Sequence, residues 1–177
     1  MRCFIATPIP DGVRKSISNY INRVRNSLSG IRWVKEDNIH ITIRFLGEIN
    51  EETVEKTKEL IRLKGRVFKP FNCEIGGIGY FPSARRAKVI WVGIKEGADE
   101  LRRVFSELEE EIIGLGFKKE KPFHPHLTIG RAKGPRPLNL PDIEGHIFQV
   151  REIILYRSTL TPSGPIYEPL IRTGFSS

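Results

Sequence analysis

From residue 39 to residue 45 the chain alternates between apolar and polar: Ile39-His40-Ile41-Thr42-Ile43-Arg44-Phe45. A period of two predicts a strand with one apolar face and one polar face. Pro125-His126-Leu127-Thr128-Ile129 repeats that alternation. Elsewhere the period lengthens. Val13, Ile17, Tyr20, Ile21, Val24 and Leu28 recur at helical spacing, with Asp11 as the expected N-cap and Gly30 as the stop. Asn50 is the expected cap of a second helix carrying Val54, Leu60 and Ile61 and ending near Gly65. Asp99–Ile113 sets Leu101, Val104, Phe105, Leu108 and Ile112 on one face of a third helix, ended by Gly114 and Gly116. Further strands are expected at Cys3–Pro8, Lys88–Ile94, Phe148–Thr159 and Tyr167–Phe175, with Ile153–Tyr156 central. A strand near Phe68–Ile75 is expected to run into a loop at Gly76–Gly79, and Pro135, Pro137 and Pro141 mark another loop.

The two alternating segments belong to a longer repeat. Sliding the chain by 86 residues lays Phe4-Ile5-Ala6 on Ile90-Trp91-Val92 and His40-Ile41-Thr42-Ile43 on His126-Leu127-Thr128-Ile129 without a gap. Such a duplication packs most simply about a pseudo-two-fold axis. The expected fold class is α+β: one domain over residues 1–177, bilobal, with duplicated strand-helix-strand units, mainly antiparallel sheets and a cleft between the lobes.

Composition narrows the function class. Hydrophobic residues are 39% and charged residues 28% of the 177, a globular balance. The apolar runs are far below the roughly 18 residues that span a bilayer. The first residues lack a long apolar stretch, so no secretory signal is expected. Two cysteines, Cys3 and Cys73, are too few for a disulfide framework or a four-cysteine zinc site, which points to a reducing, cytoplasmic setting. The net charge of +8 and pI near 9.7 favour a polyanionic partner such as RNA. Arg85, Arg86, Lys118, Lys119, Lys121, Lys133 and Arg136 are candidates for an RNA track. A lone Gln149 amid many Glu, Lys, Arg and Ile leans toward a thermophilic source.

The candidate chemistry sits on the two alternating strands. Residues i and i+2 point the same way, so His40 emerges beside Thr42 and His126 beside Thr128. With eight threonines in 177 residues, a Thr two places after a given His is about a 5% event, and it occurs twice among four histidines. Two imidazoles near their ordinary pKa of about 6.5 can act at one pH as base and acid on opposite sides of a phosphorus. The hydroxyls can donate to non-bridging oxygens where charge grows. No metal and no cofactor is needed. Two alternatives remain open: a three-histidine zinc hydrolase built from His40, His124 and His126, and a non-catalytic RNA-binding domain. The stretch Gly76–Gly79 has no Walker lysine, so no nucleotide triphosphate site is expected.

The motifs His40-Ile41-Thr42-Ile43 and His126-Leu127-Thr128-Ile129 resemble the twin signatures of the 2H phosphoesterase superfamily, and within it the RNA 2′,3′-cyclic phosphodiesterase, or 2′-5′ RNA ligase, family. Phe45-Leu46-Gly47-Glu48, Gly79-Tyr80-Phe81-Pro82, Gly130-Arg131, Ser158-Thr159-Leu160 and Tyr167-Glu168-Pro169-Leu170 extend the likeness over nearly the whole chain. The resemblance implies metal-independent hydrolysis of a terminal RNA 2′,3′-cyclic phosphate to a 2′-phosphate. It also implies reversible, ATP-independent 2′-5′ joining of tRNA halves. His40 would be the acid toward O3′ and His126 the base, with Thr42, Thr128 and Arg131 on the phosphate. Further candidate substrate contacts are Arg44, Phe45, His124, Phe81 and Tyr167. Arg131 lies five residues after His126, on the wrong face of an ideal strand, so Gly130 is expected to mark a bulge or strand end that turns it inward. A monomer is the default expectation.

Overall fold

The structure, a computed structural model, describes residues 1–177. Nine strands form two antiparallel sheets. The first sheet runs β3 (His40–Glu48), β1 (Arg2–Pro8), β8 (Glu152–Thr161), β9 (Gly164–Gly174). The second runs β2 (Ile31–Trp33), β6 (His126–Arg136), β5 (Ala87–Glu96), β4 (Phe71–Phe81), β7 (His146–Val150). Three helices complete the chain: α1 (Asp11–Arg25), α2 (Glu51–Gly65) and α3 (Ala98–Gly114). No helix is long and apolar enough to cross a membrane.

The sheets share an order. Strands β3, β1, β8 and β9 correspond in position to β6, β5, β4 and β7, and β2 adds an edge to the second sheet alone. Each motif strand is hydrogen-bonded to the strand that opens its repeat: β3 to β1, β6 to β5. One continuous apolar core joins both sheets, from Ile5 and Ile41 to Ile90, Leu127 and Leu155. Helix α2 packs on β8 and β9, while α3 contacts both β3 and β5 and ties the halves together.

The register refines the repeat. Ala6 lies opposite Thr42, and Trp91 opposite Thr128. The motif strands are therefore offset by 86 residues, but their partners β1 and β5 by 85. The gapless slide is wrong by one residue in the opening strands, because the helical connections differ in length and absorb the difference.

Several local expectations also shift. Helix α1 starts at Asp11, with Pro10 in the cap position and no side-chain cap; Asp11 lies in the first turn, where its carboxylate complements the helix dipole. Asn50 does cap α2, accepting from the Thr53 N–H at 2.8 Å. Gly76–Gly79 lies inside β4 rather than in a loop. Glycine is needed there because β5 side chains lie over it: a Cβ on Gly79 would fall 2.2 Å from the Trp91 ring. Phe148–Thr159 is two strands, β7 and β8, in different sheets, parted at Arg151. No glycine or proline marks that change of sheet, and buried Phe148 and Val150 lead within a few residues to buried Ile153, Ile154 and Leu155. β6 runs through Pro135 to Arg136, so the proline-rich loop begins later than expected. Only three residues long, β2 has too few positions to show a period.

Candidate active site

Each motif strand carries a bulge at the same place. On β3, Thr42 pairs with Ala6 and Arg44 with Ile5, leaving Ile43 extra. On β6, Thr128 pairs with Trp91 and Gly130 with Ile90, leaving Ile129 extra. One inserted residue flips the facing of everything beyond it. Exposure follows: Ile43 and Arg44 are both buried, and Phe45 emerges; Ile129 and Gly130 are both buried, and Arg131 emerges. Phe45 and Arg131 thus share the face of their His-x-Thr pairs, as a bulge at Gly130 was expected to achieve for Arg131.

The same flip overturns the expectation for Arg44 as a substrate contact. Its side chain is only 6% exposed and points into the protein. Nε donates to Glu109 of α3 at 2.6 Å, and the guanidinium also reaches the Phe45 and Lys118 carbonyls. Arg44 fastens α3 and the segment after it to the back of the bulge. Phe45, by contrast, is 56% exposed at the site face, with its ring 6.0 Å from Phe4.

The two imidazoles are oriented alike. His40 Nδ1 lies 2.7 Å from the Asn38 carbonyl, and His126 Nδ1 lies 2.6 Å from the His124 carbonyl. A carbonyl only accepts, so each Nδ1 carries the hydrogen and each Nε2 is the basic nitrogen. His40 Nε2 accepts from the Thr42 hydroxyl at 2.8 Å. His126 Nε2 has no protein partner, so the two half-sites are not identical. His40 stacks on Phe4 at 5.0 Å and meets the edge of Tyr167 at 5.3 Å. His126 meets the edge of Phe81 at 5.0 Å, with Trp91 at 6.2 Å. Burial lowers the His40 pKa to about 4, against a smaller opposing effect of the Asn38 carbonyl. Burial also lowers His126, opposed by the His124 carbonyl and reinforced by the Arg131 charge. Both rings are neutral at pH 7 in the free protein.

The half-sites adjoin. Strands β3 and β6 pack side by side where the sheets meet. The Arg131 charge acts both on His126 and on the Tyr167 phenol, which touches His40. Tyr167 and Phe81 are half-buried beside the imidazoles rather than lost in the core. A cavity of about 480 Å³ lies elsewhere, between α1 and Pro137–Asp142. His124 is exposed, and its backbone rather than its ring serves His126. No three His, Cys, Asp or Glu side chains converge as metal ligands, so His40, His124 and His126 do not form the triad that one alternative requires. Of the basic candidates, all but Arg136 are exposed and none has an acidic partner; Arg136 is half-buried and donates to the Ser29 carbonyl.

Phe4, Trp91 and Tyr156, whose ring stacks on Phe4 at 5.2 Å, escaped the sequence reading. Their signal was weak: each occupies an otherwise apolar strand and looks like ordinary core. Only the register reveals that Trp91 lies opposite Thr128 and Phe4 opposite Phe45.

A model of LigT-like phosphoesterases matches the chain twice, over residues 7–91 and 92–167, one match per repeat. The chain belongs to the LigT-like phosphoesterase family. It is 38% identical to the RNA 2′,3′-cyclic phosphodiesterase of Methanocaldococcus jannaschii, covering 95% of this chain and 97% of that one. Among solved structures, a Thermus thermophilus protein superposes with a TM-score of 0.88 at 30% identity, over 98% and 97% of the two chains. Escherichia coli LigT complexed with 3′-AMP gives 0.85 at 25% identity, over 99% and 98%. The two-lobed α+β architecture is thus that of LigT-like phosphoesterases, and the twin motifs lie one in each match.

Proposed function

We propose that this LigT-like phosphoesterase hydrolyses RNA 2′,3′-cyclic phosphate ends to 2′-phosphates without a metal, using His40 and His126 as an acid–base pair. The carrying observation is the duplicated geometry: two His-x-Thr pairs on equally bulged strands, each imidazole donating Nδ1–H to the carbonyl two residues back. That arrangement presents Nε2 of both rings for proton transfer. In the reaction, His126 takes a proton from water as its oxygen attacks phosphorus. The P–O3′ bond breaks, and His40 delivers a proton to O3′, leaving the 2′-phosphate. His40 has to be protonated for this, and a bound phosphate anion favours the imidazolium. Thr42, Thr128 and Arg131 hold the non-bridging oxygens, where charge grows in the transition state. Phe45, Phe81 and Tyr167 offer faces or edges for a base. Replacing water by a ribose 5′-hydroxyl, in the presence of two RNA ends, gives the 2′-5′ linkage by the same chemistry.

The test is turnover of a cyclic-phosphate-ended oligoribonucleotide in EDTA, with the product phosphate located on O2′ or O3′. His40→Ala and His126→Ala are each expected to lower turnover by about 10²–10⁴-fold. Full turnover by the double variant, or a product phosphate on O3′, would defeat the reading. Loss in EDTA restored by zinc would favour the metal alternative, and salt-sensitive RNA binding without cleavage the non-catalytic one.

A further inference from the structure

Arg131 does not stand alone on its sheet face. Its direct neighbour across the ladder is Arg32, on the edge strand β2. Cross-strand partners point to the same face, about 5 Å apart at Cβ, and two like charges there repel. Neither guanidinium has an acidic partner, and both are exposed. The fold nonetheless builds this pair with care. Trp33 lies opposite Gly130, and a Cβ on Gly130 would fall 3.0 Å from the Trp33 ring and 3.1 Å from Ile31. The bare backbone of Gly130 lets β2 dock, and docking sets Arg32 beside Arg131. The Val34 N–H to Ile129 carbonyl bond, at 2.9 Å, closes the strand. The equivalent place in the first repeat has no added strand, and it holds the uncharged Phe45 where the second repeat holds Arg131. The doubled positive charge therefore belongs to one side of the site only.

Two adjacent unpaired guanidiniums on a substrate-facing surface fit two phosphates one nucleotide step apart. We infer that Arg32 is a specificity residue that binds the phosphate on the 5′ side of the terminal nucleotide, while Arg131 holds the cyclic phosphate. The enzyme is thereby tuned to RNA ends over free cyclic nucleosides. The inference rests on the cyclic-phosphate reading above and extends it to a second anion subsite.

The probes are adenosine 2′,3′-cyclic phosphate and the same compound bearing a 5′-phosphate, which differ in one anionic group. The readout is the ratio of their kcat/KM values on one protein, so any loss of folded enzyme cancels. The native protein is expected to favour the 5′-phosphorylated compound by about fivefold or more, the scale of one charge-assisted contact. Arg32→Gln is expected to bring the ratio near one, and Arg32→Glu to invert it. A native ratio near one, or an Arg32→Gln ratio above half the native value, overturns the assignment. Turnover of neither compound by the native protein would instead sink the underlying reaction, a result readily told apart from an unchanged ratio.

Discussion

At the scale of single residues, the site turns on two imidazoles made less basic by their surroundings. His40 loses most, because it lies between Phe4 and Tyr167 where an imidazolium is poorly solvated. His126 is lowered by burial and then by Arg131. A reaction needing one ring charged and the other neutral follows a bell whose limbs are those two pKa values, whichever ring is the acid. Both lie below the ordinary value of about 6.5 in the free protein. The kcat/KM profile is therefore expected to peak below pH 6.5, and the kcat profile at higher pH, since bound phosphate favours the charged rings. Initial rates across pH 4–9 check this; a kcat/KM maximum above 7 would contradict it.

At the scale of elements, the bulge decides which side chains serve chemistry and which serve stability. Arg44 and Glu109 form a buried pair linking β3 to α3. Removing one partner leaves the other charge buried and alone, so Arg44→Ala is expected to cost about 3–5 kcal/mol in urea unfolding. The double change Arg44→Met with Glu109→Leu, which leaves no orphan charge, is expected to recover most of that loss. A near-zero cost for Arg44→Ala would mean that the pair is not held as described. The alternation made Arg44 and His40 face-mates, and period two is sound along an unbroken ladder. It fails here because a bulge is set by how many residues the partner strand offers, which β3 alone does not reveal.

At the scale of the whole molecule, folding carries a neutral His40 into partial burial, and that couples stability to pH. The unfolded imidazole has a pKa near 6.5, the folded one about 4. Between those values the unfolded chain binds more protons, so protonation favours unfolding. Stability is expected to be at its full value above about pH 6.5 and to fall as pH drops toward 4, with His126 adding in the same direction. Thermal unfolding of His40→Gln, followed from pH 7 to 4, is expected to show a shallower fall than the parent. Identical slopes would show that His40 is not desolvated by folding. Phe4, Tyr156 and Tyr167, on neighbouring strands of the first sheet, supply the apolar environment of that ring.

The order of residues by itself determined the twin His-x-Thr pairs, the side-by-side emergence of ring and hydroxyl, the three helices and the duplication. All of these rest on periods read within a few residues or on identity at a fixed spacing. Tertiary structure alone decided that Phe45 and Arg131 face the site while Arg44 does not, that Trp91 lies opposite Thr128, and that Arg32 stands next to Arg131. Those outcomes depend on ladder pairings between segments up to about a hundred residues apart. No local pattern encodes which strand a residue will meet, or how many residues that strand sets against it.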